Sequence, residues 1–259
     1  MDDQSTHHTD HRSHQTAQTG DSRLPWDLRA LRRDIPSLWW ALVRFGFRLL
    51  YNELAFTYDT VSKIVSLGQW HDWQRAALRH LKAPPGAPIL ELAHGTGQFL
   101  IDLRAAGCQT FSIDVSPAMG RIARRKLYHW GYCPRLVRAR AQALPFPDQR
   151  FAAVVSTFPT EFIVEPATLA EAHRVLKPGG RLVVVVNGLL TAHSAATNTL
   201  EFAYRITGQR GPWPVDVEQR LTAAGFSPQV ITEPLEHSTV LLMVAERVAT
   251  RTEAPVVGA

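Results

Sequence analysis

The chain has 259 residues, of which 45% are hydrophobic and 20% charged, and these fractions are ordinary for a soluble globular protein. Its formal net charge of +5 permits contact with anionic surfaces but is weak evidence for one. Cys108 and Cys133 form neither a metal-spaced pair nor a disulfide framework, and no secretory signal follows the first methionine, so we expect a cytoplasmic protein.

The first 83 residues divide into a polar tail and a helical region. Residues 1–22 lack apolar side chains able to build a core and are predicted to be disordered. Residues 23–83 have a helical pattern, interpreted as a lid through which substrate enters. Within this lid, residues 37–52 (SLWWALVRFGFRLLYN) are apolar on most faces, with Arg44 and Arg48 on one narrow polar stripe.

Two interpretations of the 37–52 helix stay open. It packs onto the main domain, or it lies in a membrane interface with its arginines reaching toward the headgroups. A membrane span is not predicted, because no apolar run of about 18 residues occurs in the sequence.

Strands and helices alternate from residue 84 to residue 248, which predicts a parallel sheet covered on both faces. Strands are predicted near 88–93, 109–114, 135–140, 151–157 and 181–187, with helices near 97–106, 117–130 and 166–176. A helical insertion at 189–211 precedes a last helix and two hairpin strands, and 249–259 is predicted to be a flexible tail. The fold class is therefore α/β: a doubly wound, seven-stranded, mostly parallel sheet with a C-terminal antiparallel hairpin and an N-terminal helical lid.

The turn in ILELAHGTGQFL (89–100) is predicted to bind a ligand, because Gly95 and Gly97 let the backbone approach one closely. A dinucleotide fingerprint needs a third glycine where this chain has Leu100, and no Walker Gly-Lys-Ser/Thr follows. Instead, acids occupy two strand ends: Glu91 before the turn and Asp114 after the second strand. A carboxylate at the second place suits two ribose hydroxyls, so we predict a nucleoside carrying a cationic centre.

Four ordered segments resemble the class I S-adenosylmethionine-dependent methyltransferases: LELAHGTG, SIDVSPAMGRIAR, ALPFPDQRFAAVVSTF and EAHRVLKPGGRLVVV. Upstream, AFTYDTVSKIVSLGQWHDWQRAAL is similar to the ubiquinone/menaquinone-biosynthesis C-methyltransferases. The resemblance implies a Rossmann-like methyltransferase domain at 84–248 and S-adenosylmethionine as cofactor. It places the methionine part against Glu91, Ala93, Gly95 and Gly97, the ribose on Asp114, the adenine between Val115, Met119, Ala141 and Gln142, the sulfonium beside Thr157 and Phe158, and Tyr58 over the cofactor.

Two positions depart from the family pattern. Ala93 stands where the family usually has glycine, which is expected to crowd the turn. Arg140 stands where many relatives have an aspartate that accepts a hydrogen bond from the adenine amino group, which an arginine cannot do. Either the adenine contact shifts to Gln142 and backbone atoms, or cofactor binding is weakened.

The loop after the fourth strand, STFPTEFI, is expected to face the methyl acceptor, because ligands in open α/β sheets bind at the carboxyl ends of strands. Glu161 is the candidate catalytic base or cation-binding residue, with Thr160 beside it. The alternative for Glu161 is an acid that only stabilises a helix N-terminus. His94, His71 and Trp73 are further candidates for substrate contact, and no metal site is predicted.

The leading hypothesis is a cytoplasmic methyltransferase for a small apolar, aromatic or lipid-like acceptor, in peripheral contact with the inner face of a membrane through 37–52. An RNA methyltransferase or RNA-binding relative is the second, since arginines and aromatics interleave in RIARRKLYHWGYCPRLVRAR (121–140). Basic residues at a sheet edge also discourage edge-to-edge pairing, and this alternative is favoured over a nucleic-acid partner. STFPT replaces the Asn/Asp-Pro-Pro-aromatic loop typical of base-amine methylation, which argues against that reaction and leaves other RNA methylations open. A third hypothesis is a catalytically inactive cofactor-binding protein, suggested by Arg140 and Ala93. No pattern specifies an oligomeric state.

Overall fold

The computed structural model describes residues 57–190 and 216–248. Described residues of the predicted lid form helices α1 (Tyr58–Val65) and α2 (Trp70–Ala76), and a 3-10 helix continues over Ala77–His80. The predicted tails at 1–22 and 249–259, the 37–52 helix and the 191–211 part of the predicted insertion lie outside the described residues. Within the described ranges, no helix is long and apolar enough to cross a membrane.

Seven strands form one sheet. They are β1 (Pro88–Leu92), β2 (Gln109–Asp114), β3 (Leu136–Arg138), β4 (Phe151–Thr157), β5 (Leu176–Leu190), β6 (Phe226–Pro234) and β7 (Ser238–Arg247). The remaining helices are α3 (Gln98–Ala105), α4 (Pro117–His129), α5 (Pro166–Val175) and α6 (Val217–Ala223), with a 3-10 helix at Glu161–Val164.

The strand order is β3-β2-β1-β4-β5-β7-β6. Strands β1 to β5 pair in parallel, whereas β7 runs antiparallel to both β5 and β6. The predicted fold class is therefore confirmed. Because β1 lies at the centre, with β2 on one side and β4 on the other, the loops that follow β1, β2 and β4 open at the same edge of the sheet.

Side-chain alternation along the buried strands gives the sheet two apolar faces. In β1, Ile89 packs on the face that also receives Trp73 and Phe99 from α2 and α3, whereas Leu90 packs on the opposite face. That opposite face is covered by α5 and α6 through side chains such as Leu169 and Leu221. The lid helix α2 is thus part of the main core.

Two predicted strands differ in length from those found. β3 covers only Leu136–Arg138 instead of 135–140, because its partner β2 ends at Asp114, which pairs with Arg138. β5 covers Leu176–Leu190 instead of 181–187, since Leu176 already pairs with Phe151 and β7 continues the pairing as far as Leu190. Residues 189 and 190 therefore belong to a strand and not to the predicted helical insertion.

Candidate cofactor site

The two predicted acids lie at the ends of neighbouring strands, and Asp114 organises the loops around it. Its Oδ2 accepts a hydrogen bond from the Gly95 N–H at 2.9 Å, and its Oδ1 accepts one from the Ser116 N–H at 2.8 Å. Each carboxylate oxygen has a second lone pair, so both remain able to accept a hydroxyl. The Asp114 carboxylate thus holds the turn after β1 and the start of α4 in one arrangement.

The turn after β1 requires left-handed backbone at three positions. Ala93, Gly95 and Gly97 have φ values of 56°, 53° and 77°. A Cβ at Gly97 would lie 2.8 Å from the Cβ of Ala123, so this glycine allows α4 to pack closely. Ala93 is exposed, and the predicted crowding of the turn by its methyl group stays a prediction. The cost of alanine there is conformational, on the order of 1–2 kcal/mol.

Glu91 is the most unusual group in the site. It is 1% exposed, and its Oε2 has no hydrogen-bond partner among the described residues. Burial raises the pKa of the Glu91 carboxyl well above its ordinary value, and the nearby charges of Asp114 and Asp102 add to the increase. A cationic group placed here would supply the partner that the carboxylate lacks, which fits the ammonium of a methionine moiety.

The His94 side chain forms its hydrogen bond within the turn. Its Nδ1 donates to the carbonyl oxygen of Gly95 at 2.8 Å, and burial lowers the pKa of the imidazole. The neutral ring therefore serves the turn, and nothing in its contacts assigns it to substrate.

An aromatic wall formed by Tyr58, Trp70 and Phe158 stands at the carboxyl end of β4. The ring centroids of Trp70 and Phe158 are 4.0 Å apart, and Tyr58 meets Trp70 edge-on at 6.4 Å. Phe158 has a left-handed backbone with φ of 52°, and its N–H donates to the Val185 carbonyl oxygen at 2.8 Å. This conformation fixes the start of the loop that the sequence assigned to the acceptor.

Gln74 joins the lid to the end of β4. Its Nε2 donates to the Thr157 Oγ1 at 3.1 Å, whereas its buried Oε1 has no partner among the described residues. Thr157, the predicted neighbour of the sulfonium, is therefore oriented by a lid side chain.

His71 and Trp73 attach the lid to the domain. Trp73 is 1% exposed, and its Nε1 donates to the Ser238 Oγ at 2.9 Å. His71 Nε2 lies 2.8 Å from Asp102 Oδ2, and this hydrogen bond is the main reason that the pKa of His71 is raised. These contacts assign both side chains to lid docking, and acceptor contact remains only a sequence-based prediction for them.

A second connection, the Asp59 bridge, ties the lid to the turn itself. Asp59 Oδ1 accepts from the Thr96 hydroxyl, and its Oδ2 accepts from Lys126 Nζ, both at 2.6 Å. Lys126 belongs to α4 and also reaches the Thr96 Oγ1 at 3.3 Å. One carboxylate therefore links α1, the turn and α4.

The residues assigned to the adenine lie after β2 and β3. Val115 is 58% exposed, whereas Met119 and Ala141 are buried. Gln142 Nε2 donates to Glu165 Oε2 at 2.7 Å, which leaves the Gln142 carbonyl as its free acceptor. Arg140 is exposed. These positions agree with an adenine held by apolar surfaces, and their contacts with a cofactor stay predictions.

Glu161 and Thr160 are exposed at the start of the 3-10 helix after β4. Neither the lid nor the sheet, as far as each is described, forms an ion pair with Glu161, so its carboxylate is available to a substrate or to solvent. Within the described ranges, no cluster of three or more His, Cys, Asp or Glu residues could hold a metal ion.

Sequence reasoning missed Trp70, Gln74 and the Asp59 bridge. The sequence contains a pattern that could have indicated Trp70 and Gln74. Residues 70, 73, 74 and 77 follow the i, i+3, i+4, i+7 spacing of one helix face. The partners of that face, Phe158 and Thr157, are more than 80 residues away in the chain, and spacing alone does not reveal them.

Comparison with known proteins agrees with this geometry. Residues 89–180 match the family model for a methyltransferase domain. A demethylmenaquinone methyltransferase of Thermus thermophilus is 40% identical over 139 residues, which cover 52% of this chain and 63% of the relative. A ubiquinone/menaquinone biosynthesis C-methyltransferase of Shewanella pealeana is 32% identical over 142 residues, 52% of this chain and 57% of the relative. The chain thus spans less than two thirds of the length of these curated relatives.

A solved structure shares the fold. The geranyl diphosphate C-methyltransferase of Streptomyces coelicolor A3(2), in complex with Mg2+, geranyl diphosphate and S-adenosyl-L-homocysteine, superposes with a TM-score of 0.53 at 15% identity. The superposition covers 68% of this chain and 78% of that one. The superposition shows that the chain shares the fold of that protein, and the family model matches residues 89–180 to a methyltransferase domain.

Proposed function

We propose that the chain transfers a methyl group from S-adenosylmethionine to a small apolar acceptor of the quinol or aromatic-lipid type. The observation that carries the proposal is the aromatic wall of Tyr58, Trp70 and Phe158, which stands beside the acid–turn–acid arrangement. The names of the similar proteins from Thermus and Shewanella support the same acceptor class. The three aromatic side chains are only partly buried, and together they offer an apolar surface suited to a ring-shaped acceptor.

The cofactor assignment within this proposal follows the predicted residues. Glu91 takes the ammonium, and Asp114 takes the ribose hydroxyls. The turn through Ala93, Gly95 and Gly97 lets the backbone lie against the methionine part. The orphaned Oε2 of Glu91 supports the first of these roles, because a buried carboxylate is costly without a charged partner.

Bound S-adenosylmethionine supplies an electrophilic methyl group on its sulfonium sulfur. Transfer of this methyl group to the acceptor leaves a neutral thioether. The chain's own residues align the acceptor with that methyl group and exclude water from the reaction. The aromatic wall performs both tasks in this proposal. Glu161 is the residue that accepts the proton lost by the acceptor, and the proton then passes to solvent through its exposed carboxyl group.

Asp114→Ala is expected to weaken S-adenosylmethionine binding by about 1.5–3 kcal/mol, the usual cost of losing hydrogen bonds to a charged acceptor. The Gly95 and Ser116 N–H groups also lose their partner, so the turn itself should loosen. Isothermal calorimetry with S-adenosylhomocysteine measures the change, and Asp148→Ala, which removes an exposed carboxylate, is the control. Wild-type affinity in Asp114→Ala would remove Asp114 from the cofactor site.

The proposal extends to the place where the acceptor is loaded. An apolar quinol partitions into lipid, so we propose a cytoplasmic enzyme in peripheral contact with a membrane through residues 37–52. The apolar faces and two arginines of that segment support this contact.

Two truncations test both the function and the membrane contact. Labelled methyl transfer to a prenylated hydroquinone and flotation with liposomes are measured for chains lacking residues 1–22 and residues 1–52. Loss of 1–22 should change neither property. Loss of 1–52 should abolish flotation and reduce transfer while S-adenosylhomocysteine binding persists. Intact flotation after the longer deletion would refute the membrane contact, and no transfer by the full chain to any quinol would refute the function.

A further inference from the structure

A basic groove lies at the edge of the sheet next to Asp114. It has a volume of about 370 Å3, and its charged lining consists of Arg121, Arg124 and Arg125 of α4, Arg138 of β3 and the carboxylate of Asp114. The three helix arginines follow i, i+3 and i+4 spacing, so they project from one side of α4. We call these four residues the arginine groove.

The arginine groove contrasts with the other edge of the sheet, where arginines are paired. Arg79 forms an ion pair with Glu233 of β6, and Arg220 forms one with Asp216 at 2.7 Å. In the described ranges, Arg121, Arg124 and Arg125 form no ion pair, and Arg138 donates only to the Val115 carbonyl oxygen at 3.1 Å. The four arginines outnumber the one carboxylate that lines the groove, Asp114, so net positive charge remains available to an external anion.

Protection of the sheet edge does not account for this charge. β3 is three residues long, which already makes it a poor template for pairing. Three of the four arginines belong to a helix and not to the edge strand. Their accumulation is better explained by a ligand or a surface that carries negative charge.

Exposed aromatic side chains continue the basic surface at the end of α4. Tyr128 is 62% exposed and Trp130 is 60% exposed. Tyr128 lies three and four residues after Arg125 and Arg124, which puts it on the same side of the helix. Arginine beside exposed tyrosine and tryptophan is the composition that settles in the headgroup region of a bilayer.

We propose that the arginine groove, with Tyr128 and Trp130, is a docking surface for the anionic headgroups of a lipid membrane. The choice of a membrane over a nucleic acid rests on the proposed function, because an apolar acceptor has to be collected from lipid. Asp114 itself lines the groove, so docking there would bring the proposed cofactor site close to the bilayer. Electrostatic attraction of this kind depends on the fraction of anionic lipid and weakens as salt rises.

The test uses the full chain and the double variant Arg124→Gln/Arg125→Gln. Binding is measured by cosedimentation with vesicles of phosphatidylcholine alone and of phosphatidylcholine with phosphatidylglycerol. Wild type should prefer the anionic vesicles, and the double variant should lose about 30-fold in affinity for them, given roughly 1 kcal/mol for each basic residue. The charge-matched control, Arg79→Gln/Arg220→Gln, removes two arginines near the opposite edge and should bind like wild type.

Equal binding to neutral and anionic vesicles, or equal losses in the two double variants, would overturn the proposal. So would an RNA oligonucleotide that binds through Arg124 and Arg125 while vesicles do not. Methyl transfer to a detergent-dispersed acceptor, measured in parallel, separates this inference from the proposed function. Transfer without any preference for anionic vesicles rejects the docking surface alone, whereas arginine-dependent vesicle binding without transfer supports the surface and rejects the function.

Discussion

Gly188→Ala is expected to destabilise the protein by about 3–5 kcal/mol, the range seen when a large aromatic side chain loses its place in a core. A Cβ at Gly188 would lie 2.1–2.4 Å from three ring carbons of Trp73, which is far inside van der Waals contact. Trp73 cannot move away cheaply, because it is fully buried and its Nε1 is hydrogen-bonded to Ser238. The indole should leave its site and release α2 from the sheet.

Urea denaturation followed by circular dichroism measures this loss. Gly120→Ala is the matched control, because nothing lies within 4 Å of a Cβ at that position and its backbone is helical. It should leave stability unchanged or raise it by up to about 1 kcal/mol. In a Trp73→Ala background the Gly188→Ala change should cost little, since the clash is gone. An undiminished free energy of unfolding in Gly188→Ala alone would mean that Trp73 does not pack on β5.

Glu91→Gln should make the cofactor-free protein more stable at pH 8 and weaken S-adenosylmethionine binding roughly 10- to 100-fold, the equivalent of a lost charge-assisted hydrogen bond. The carboxyl is buried, and its Oε2 lacks a partner among the described residues. Ionisation without a cation therefore costs stability, and glutamine removes this cost because it has nearly the same shape and cannot ionise. The same change removes the negative charge that the proposed ammonium contact needs.

The raised pKa of Glu91 determines how the stability gain of Glu91→Gln changes with pH. The folded-state pKa of Glu91 is raised above the unfolded value, so its contribution to stability is complete below the unfolded pKa and is lost as pH rises through the folded pKa. The stability gain of Glu91→Gln should thus be small near pH 4 and grow toward pH 8. Cofactor affinity of wild type should rise over the same interval, and that of the variant should stay flat.

Melting temperatures and calorimetric affinities across this interval provide both readouts. Glu236→Gln makes the same chemical change on a side chain that is 87% exposed and should alter neither. A variant that gains no stability and keeps wild-type affinity would show that Glu91 is paired in solution and does not contact the cofactor.

The sheet could be predicted because its signals are local. β1 is apolar except for Glu91, residues 182–185 of β5 are a continuous apolar run, and both segments are buried on both faces. The ends of strands depend on the partner strand instead. β3 ends where β2 ends, and β5 extends as far as β7 pairs with it. Neither limit can be predicted from the residues of the strand alone.

The candidate site also contains features that local sequence predicts and features that depend on contacts with distant residues. The position of Glu91, Asp114 and the turn glycines at one edge of the sheet could be predicted, because these residues occupy fixed places relative to predicted strands. Trp70 and Gln74 were missed because their roles come from contacts with Phe158 and Thr157 across the fold. The left-handed backbone of Ala93 was also missed, since a sequence shows which side chain is present but not the backbone conformation that it adopts.

The Asp59 bridge has a consequence for how the site and the lid communicate. The Asp59 carboxylate of α1 bonds to Thr96 in the turn and to Lys126 in α4. Ordering of the turn and ordering of α1 are therefore energetically coupled. Linkage is reciprocal, so whatever a bound ligand contributes to the rigidity of the turn, a docked lid contributes equally to ligand affinity. In hydrogen exchange, the amides of α1 should then be better protected when a ligand is bound at the turn.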